Sequence, residues 1–188
     1  TQDLLWEQGY SATSPKDIMR RSGAGQGSMY HHFTNKQELA VVALECSAQS
    51  MRHDTEKLLA TDGSAYEIAT AYLRRQRDVL KGCRMGRMTF DADVLNTPEL
   101  IEPVKRTFVW LLEALTVLFE RGRDQGEFAA DIDARNLASL VVATVQGGYV
   151  LARATRDTDA FDAAVEGAAA LLRKATVPLT TEASDHSE

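Results

Sequence analysis

Between Ser22 and Lys36 the chain reads SGAGQGSMYHHFTNK, which sets Tyr30, His31 and His32 side by side and gathers many of its chemically able side chains. Paired imidazoles suggest a metal site or a general base. Successive residues on a helix point about 100° apart, however, so His31 and His32 cannot hold one ion together. No further ligand stands three or four residues beyond either, and no metal is expected. The sequence also offers no nucleophile motif, metal pair or phosphate loop, so neither catalysis nor a cofactor is expected. Cys46 and Cys83 are too few for a disulfide framework and are not spaced as metal ligands. They are read as buried or inert, in a reducing, cytosolic compartment.

The same stretch suits hydrogen bonding to a duplex. Glutamine can pair bidentately with adenine, serine can donate to or accept from any base, and glycine lets the backbone approach closely. Gln26, Gly27 and Ser28 stand together where a major-groove helix presents its base-reading residues. Tyr30, His31 and His32 would lie on the flanks and outer face, within reach of phosphate oxygens. Lys36 adds a charge and a helix N-terminus to the same backbone. Met29 and Phe33, four residues apart, would face inward onto Ile18 and Leu39.

The elements that must position these residues are helical. Ser14-Pro15 with Asp17 supplies an N-cap, a proline at the first helical position and a capping-box acid. That helix runs to Ser22, where Gly23 can close it in the left-handed conformation. The turn Gly23-Ala24-Gly25 and a second helix from about Gln26 to Phe33 complete a helix-turn-helix. Thr34 or Asn35 caps a long third helix, each with a partner three residues on. Further helices are expected over about 65–80 and 89–95, from Thr97-Pro98 to Gly126, from Asp133, and from about Asp159, with KGCRMGRMTF as a break. Their apolar stripes are Val104, Phe108, Leu111, Leu115 and Leu118; then Leu137, Val141, Thr144, Gly148 and Leu151; then Phe161, Val165, Ala168 and Leu172. The expected fold is all-α with about nine helices and no internal repeat.

Bulk properties bound the partners. The 188 residues are 44% hydrophobic and 26% charged, enough for a folded globular core. No apolar run approaches the roughly 18 residues a membrane span needs, and no membrane partner is expected. The net charge is −6, but residues 11–36 carry +3 through Lys16, Arg20, Arg21 and Lys36 against Asp17, leaving −9 elsewhere. A basic patch on an acidic body fits contact with a polyanion at one end.

With these residues in view, Gly9 to Leu39 (GYSATSPKDIMRRSGAGQGSMYHHFTNKQEL) resembles the DNA-binding domain of the TetR family of bacterial transcriptional regulators. The positions that carry the likeness are Gly9-Tyr10, Thr13, Gly27, Tyr30, His32-Phe33 and Lys36. The resemblance implies that Thr13 or Ser14, Tyr30, His32 and Lys36 hold phosphates, and that residues 26–28 and His31 lie against bases. Two positions depart from the common pattern: Gln26 stands where a basic residue is frequent, and Gly25 where a serine or threonine often caps. The first helix, TQDLLWEQ, is expected to be a truncated form of the family's, with part of it and any basic leader lying upstream of Thr1. Later cues, GCRMG, TPEL and DIDARNLASLVVATVQGGYVLARATRD, resemble the regulatory domain of the LmrA/YxaF-like branch. That implies a helical ligand-binding domain that dimerises through its last two long helices.

The expected organisation is a head over residues 1–45, a ligand-binding and dimerisation domain over 46–176, and a polar tail over 177–188. Small residues suit close helix packing about a two-fold axis. Gly147, Gly148, Phe161, Val165, Ala168, Ala169 and Leu172 are therefore the expected dimer contacts, with packing inside one subunit as the alternative. For an effector cavity the candidates are Met85, Met88, Phe90, Phe108, Trp110, Leu111, Leu115, Gln146 and Tyr149, with ordinary core packing the alternative for each. Arg84 and Arg87 could attract an anion but are read as solvated. The function expected is a cytoplasmic, nucleoid-associated homodimer bound to a pseudo-palindromic operator, a repressor released by a small apolar effector. The alternatives are a DNA-binding dimer without a ligand and, remotely, an all-helical enzyme.

Overall fold

The computed structural model of the chain describes residues 1–23 and 25–177, apart from the side chains of Gln26 and Ser28; Ala24 of the expected turn and the expected tail beyond Val177 lie outside them. Ten helices follow in order: α1 (Gln2–Gln8), α2 (Pro15–Ser22), α3 (Gln26–His32), α4 (Lys36–Leu59), α5 (Ala65–Arg74), α6 (Arg84–Met88), α7 (Ala92–Asn96), α8 (Pro98–Asp124), α9 (Ala134–Thr155) and α10 (Asp159–Ala175). No strand forms among the described residues; one isolated antiparallel bridge joins Phe128 to Thr176.

The additional helix, α6, lies in the stretch expected to be a break. Its N-cap is Cys83, whose Sγ accepts from the Gly86 amide at 3.2 Å. The helix expected to reach residue 80 ends at Arg74. Arg77 is the physical reason: its guanidinium donates to the carbonyls of Tyr72, Leu73 and Arg75, the acceptors that another helical turn would have used. The start of α5 is fixed from a distance, because the Glu127 carboxylate accepts from the amides of Ala65 and Tyr66, each at 2.8 Å.

The core divides into three clusters. Leu4, Ile18, Met29 and Leu39 join α1 to α4 at one end. A middle cluster sets Leu5, Ala43 and Leu44 against Met85, Met88, Val94, Leu100 and Val104. The largest cluster packs α5, α8, α9 and α10 around residues such as Phe119, Phe128, Val141 and Phe161. Adjacent Leu4 and Leu5 thus feed two clusters, which makes α1 a wedge between the head and the body.

The dimer-face expectation is corrected for six of its seven residues. Gly148, Phe161, Val165, Ala168, Ala169 and Leu172 are buried inside the protomer, between α9 and α10. A Cβ on Gly148 would lie 2.8 Å from Phe161 Cδ2, so this glycine exists to admit the ring. Gly147 alone of the seven faces outward. Leu151, expected on the inner stripe of α9, is 51% exposed. By length and composition α9 could cross a membrane, contrary to the sequence expectation. Here its apolar side chains Val141, Val145 and Ala152 are enclosed in the core.

Gly148→Ala should lower stability by about 1–3 kcal/mol through overpacking. Urea unfolding of Gly148→Ala, Phe161→Leu and the double variant should show partial rescue in the double.

Candidate nucleic-acid interface and the cavity behind it

The helix-turn-helix is assembled by local rules. Ser14 Oγ accepts from Asp17 N at 3.1 Å while the Asp17 carboxylate accepts from Ser14 N at 3.2 Å, a complete capping box on α2. Gly23 closes α2 with φ 70°, where a side chain would be strained. Asn35 caps α4 by accepting from Glu38 N at 2.9 Å, and the Glu38 carboxylate accepts from Thr34 N at 2.7 Å. These caps fix where α3 emerges. Met29 is buried against Leu4, Ile18 and Leu39, with Phe33 alongside, as its spacing predicts.

The outward face of α3 then follows. Tyr30, His31 and His32 are exposed, with the two imidazole rings edge-on at 4.8 Å between centroids. Among the described residues no cluster of three or more His, Cys, Asp or Glu is placed to hold a metal. Gln26 and Ser28 begin α3, but their side chains lie outside the described residues. A Cβ on Gly27 would meet nothing within 4 Å. Packing within the protomer therefore gives no reason for a glycine that costs roughly 0.5–1 kcal/mol in a helix.

Three expected phosphate ligands have other duties. Thr13 is buried, and its Oγ1 donates to Gly9 O at 2.6 Å, so its side chain staples the turn between α1 and α2. Lys36 Nζ donates to Tyr10 O at 3.0 Å and lies 3.9 Å from the centre of the Tyr10 ring. An ammonium has three donors, so two remain for other acceptors. The Ser14 hydroxyl is taken up in the cap. Arg20 pairs with Asp17 at 2.7 Å and Arg21 with Glu7 at 3.0 Å. Lys16, counted in the basic patch but not singled out from sequence, is exposed and unpaired among the described residues.

Behind the head, α1 is fastened to the segment 81–91. Trp6 Nε1 donates to Gly82 O at 3.0 Å, and Arg84 pairs with Asp3 at 2.8 Å while lying 4.0 Å over the Trp6 ring. At the other end Asp91 accepts from Ser11 N at 2.8 Å and from Ser11 Oγ at 2.5 Å. The same carboxylate caps α7 through Asp93 N and Val94 N. Partial burial works against the Asp91 charge, but the Ser11 hydroxyl and amide prevail and hold its carboxyl below the ordinary value of 3.8.

A cavity of about 360 Å³ opens between these parts. Gln8 and Gly9 of the head, Arg87, Phe90 and Asp91 of the segment, and Gln146, Tyr149, Val150 and Arg153 of α9 line it. Gln146 reaches so close to α6 that a Cβ on Gly86 would lie 2.3 Å from its Oε1, so a side chain there would displace the Gln146 amide. A second cavity, of about 520 Å³, lies across Gly82 and Cys83, and Met85 and Tyr149 border it. Burial pushes the Tyr149 phenol up to about 12, so it stays protonated at neutral pH.

Phe90, Gln146 and Tyr149 therefore line the first cavity, and Met85 the second. Met88, Leu111 and Leu115 do not: they are fully enclosed in the core. Phe108 packs between two core clusters, and Trp110 borders a separate groove, with Arg52 4.9 Å from its ring centre. A helical stripe gives the inward direction but not whether a cavity or a neighbour waits there. Arg84 and Arg87 are not simply solvated, because the first is ion-paired and the second is half-buried. Cys46, expected to be buried or inert, is exposed, and Cys83 is half-buried between the cavities. Ser11, Asp91 and Arg153 were missed, since their roles depend on contacts 80 residues apart or on a shared cavity wall.

The family model described as bacterial regulatory proteins, tetR family, matches residues 1–43, and that described as tetracyclin repressor-like, C-terminal domain, matches residues 63–168. The chain belongs to the TetR family. It is a DNA-binding transcriptional regulator and not an enzyme. The transcriptional regulator YxaF of Bacillus subtilis strain 168 is 24% identical over 178 residues, covering 91% of this chain and 90% of YxaF. A TetR regulator from Chloroflexus aurantiacus, 27% identical, superposes with a TM-score of 0.84 over 93% of this chain and 91% of its own. The fold is also shared with CifR in complex with 26-base-pair operator DNA, at a TM-score of 0.76 and 21% identity, over 90% of this chain and 91% of that one.

Lys16→Ala should weaken binding to operator and unrelated DNA alike and flatten the salt dependence by about one unit of slope. Thr13→Val should leave that slope unchanged while destabilising the fold by about 1–3 kcal/mol, because Gly9 O loses its partner. Fluorescence anisotropy across a salt series, with urea unfolding in parallel, separates the two. The Asp91 carboxyl is depressed in the native state, so its contribution is present above the unfolded value of 3.8 and lost as pH falls through the native one. Ser11→Ala should shift this acid loss to higher pH in a circular-dichroism titration.

Proposed function

We propose that the chain is a homodimeric repressor that reads a pseudo-palindromic operator with two copies of α3 and is released by a small molecule entering the cavity between α1, α6 and α9. The observation that carries this reading is the shared wall of that cavity. Gln8 and Gly9 belong to the head, Gln146 to Arg153 belong to α9, and the Asp91–Ser11 bonds cross between them. A ligand can shift the head only through a different affinity for the two arrangements. About 3 kcal/mol of such coupling reduces DNA affinity roughly a hundredfold.

The working division is a reading head over residues 1–45 and an effector and dimerisation domain over 46–176, with α4 continuous through the boundary. In the head, Gln26, Gly27, Ser28 and His31 face bases, and Tyr30, His32 and Lys16 face phosphates, with the remaining Lys36 donors beside them. The open space around Gly27 supports close approach of the α3 backbone to the duplex.

The dimer surface is the outer face of α9 and α10. Ala143, Gly147 and Leu151 are exposed at four-residue spacing on α9, and Ala163, Gly167, Ala170 and Leu171 are exposed on α10. Small residues at this spacing let axes approach, and two such helices from each copy form a four-helix bundle. Two reading helices about one DNA turn apart, roughly 34 Å, then match two half-sites.

Genomic-fragment selection followed by gel shift tests the reading, with enrichment of a pseudo-palindromic site as the expected outcome. Leu171→Glu should convert the dimer to a monomer in sedimentation and abolish operator binding while leaving helical content unchanged. A wild-type monomer, or fragments enriched without two-fold symmetry, would overturn it.

A further inference from the structure

We propose that the cavity between α1, α6 and α9 takes an amphipathic organic anion, its acidic head between Arg87 and Arg153 and its apolar body against Phe90, Val150 and Tyr149. The inference rests on the effector-cavity reading above and names the chemical class of the effector.

The two arginines are the ground for it. Both line the cavity. Arg87 Nε is buried and has no hydrogen-bond partner. Among the described residues neither guanidinium makes a hydrogen bond or an ion pair. Buried donors left unpaired are costly, and two like charges facing one space repel. Desolvation, and then the charge of Arg153, lower the Arg87 pKa, and Asp91 offsets this in part. An oxyanion between the guanidinia would supply acceptors for both and remove the repulsion.

Asp91 does not already fill this role. Its oxygens serve Ser11 and the first amides of α7. The neighbouring cavity is a weaker candidate, although it also holds arginines. There the Arg77 Nε is also buried without a partner, but both terminal nitrogens of Arg77 are given to backbone carbonyls, Arg75 bonds Thr55, and Asp54 and Asp78 share the wall, so the guanidinia there already have acceptors or counter-charges. The remaining walls of the first cavity give the ligand its second half. Phe90 is 77% exposed and Val150 52%, an apolar pair with no packing reason to border open space. An anion seated here also lies beside Asp91, so it repels the carboxylate that Ser11 holds.

Isothermal titration calorimetry on the full-length protein tests the class, with octanoate and benzoate as probes. Octanamide and benzamide serve as uncharged matches, and inorganic phosphate and sulfate as heads without a body. At least one carboxylate should bind tenfold or more tighter than its amide and than either inorganic ion. Arg153→Gln, on an exposed side chain, should remove that preference. Arg87→Lys, which retains charge without the planar fork, should reduce it. Equal affinity for acid and amide, an unchanged preference in Arg153→Gln, or no binding of any probe at 10 mM overturns the proposal, taking roughly mM as the weak end of measurable binding. Operator gel shifts run beside the titrations separate the two readings. A carboxylate that binds through Arg153 without releasing operator leaves the anion site standing and removes its effector role. Release by uncharged compounds, unaffected in Arg153→Gln, does the reverse.

Discussion

The bonds from Ser11 to Asp91 tie the turn between α1 and α2 to the start of α7, beside the continuous α4 and the middle core cluster that also join head to body. One carboxylate has two tasks, starting α7 through its own backbone neighbours and accepting the amide and hydroxyl of the turn between α1 and α2. Hydrogen bonds to a charged acceptor contribute about 1.5–3 kcal/mol each. That is the same scale as the coupling a hundredfold change in DNA affinity requires. Trp6 and Asp3, bonded to Gly82 and Arg84, fasten the other end of α1 to the same segment. Residues 82–91 are thus bonded to both ends of α1 and the turn after it, and α1 meets through Leu4 the cluster that holds Met29 of α3.

The head itself is governed by short-range chemistry. A capping box, a left-handed glycine and an asparagine cap set the limits of α2 and α4, and Met29 sets the rotation of α3 between them. The outer face of α3 follows by subtraction. Several polar residues near it are committed to holding this geometry: Thr13 and Ser14 by hydroxyl bonds, Lys36 partly by the Tyr10 carbonyl.

In the body, α9 and α10 each have two apolar faces. The inner faces interlock around Phe161 and Gly148 and are used up within the protomer. The outer faces, with Gly147, Leu151, Gly167 and Leu171, are lined by small and aliphatic residues that the protomer does not cover. The alanine content of α10 thus serves the inner contact first, and small residues outside it leave a surface on which a second copy can sit closely.

Much of the fold was written locally. The caps at Ser14, Asn35 and Asp133, the proline starts at Pro15 and Pro98, and the turn at Gly23 are effects spanning a few residues, so the sequence by itself determined the helices of the head and most helix limits beyond it. The outward placing of Tyr30, His31 and His32 was legible for the same reason, since a seven-residue helix with Met29 buried has one face left. Tertiary structure decided the rest. Whether Arg77 would end α5, whether Asp91 would hold Ser11, whether the α10 stripe would be covered by α9 or by a second copy, and whether Met88 or Arg153 would border the cavity all depend on residues brought together from far along the chain. Periodicity states that a side chain points inward; it carries no information on what it meets there.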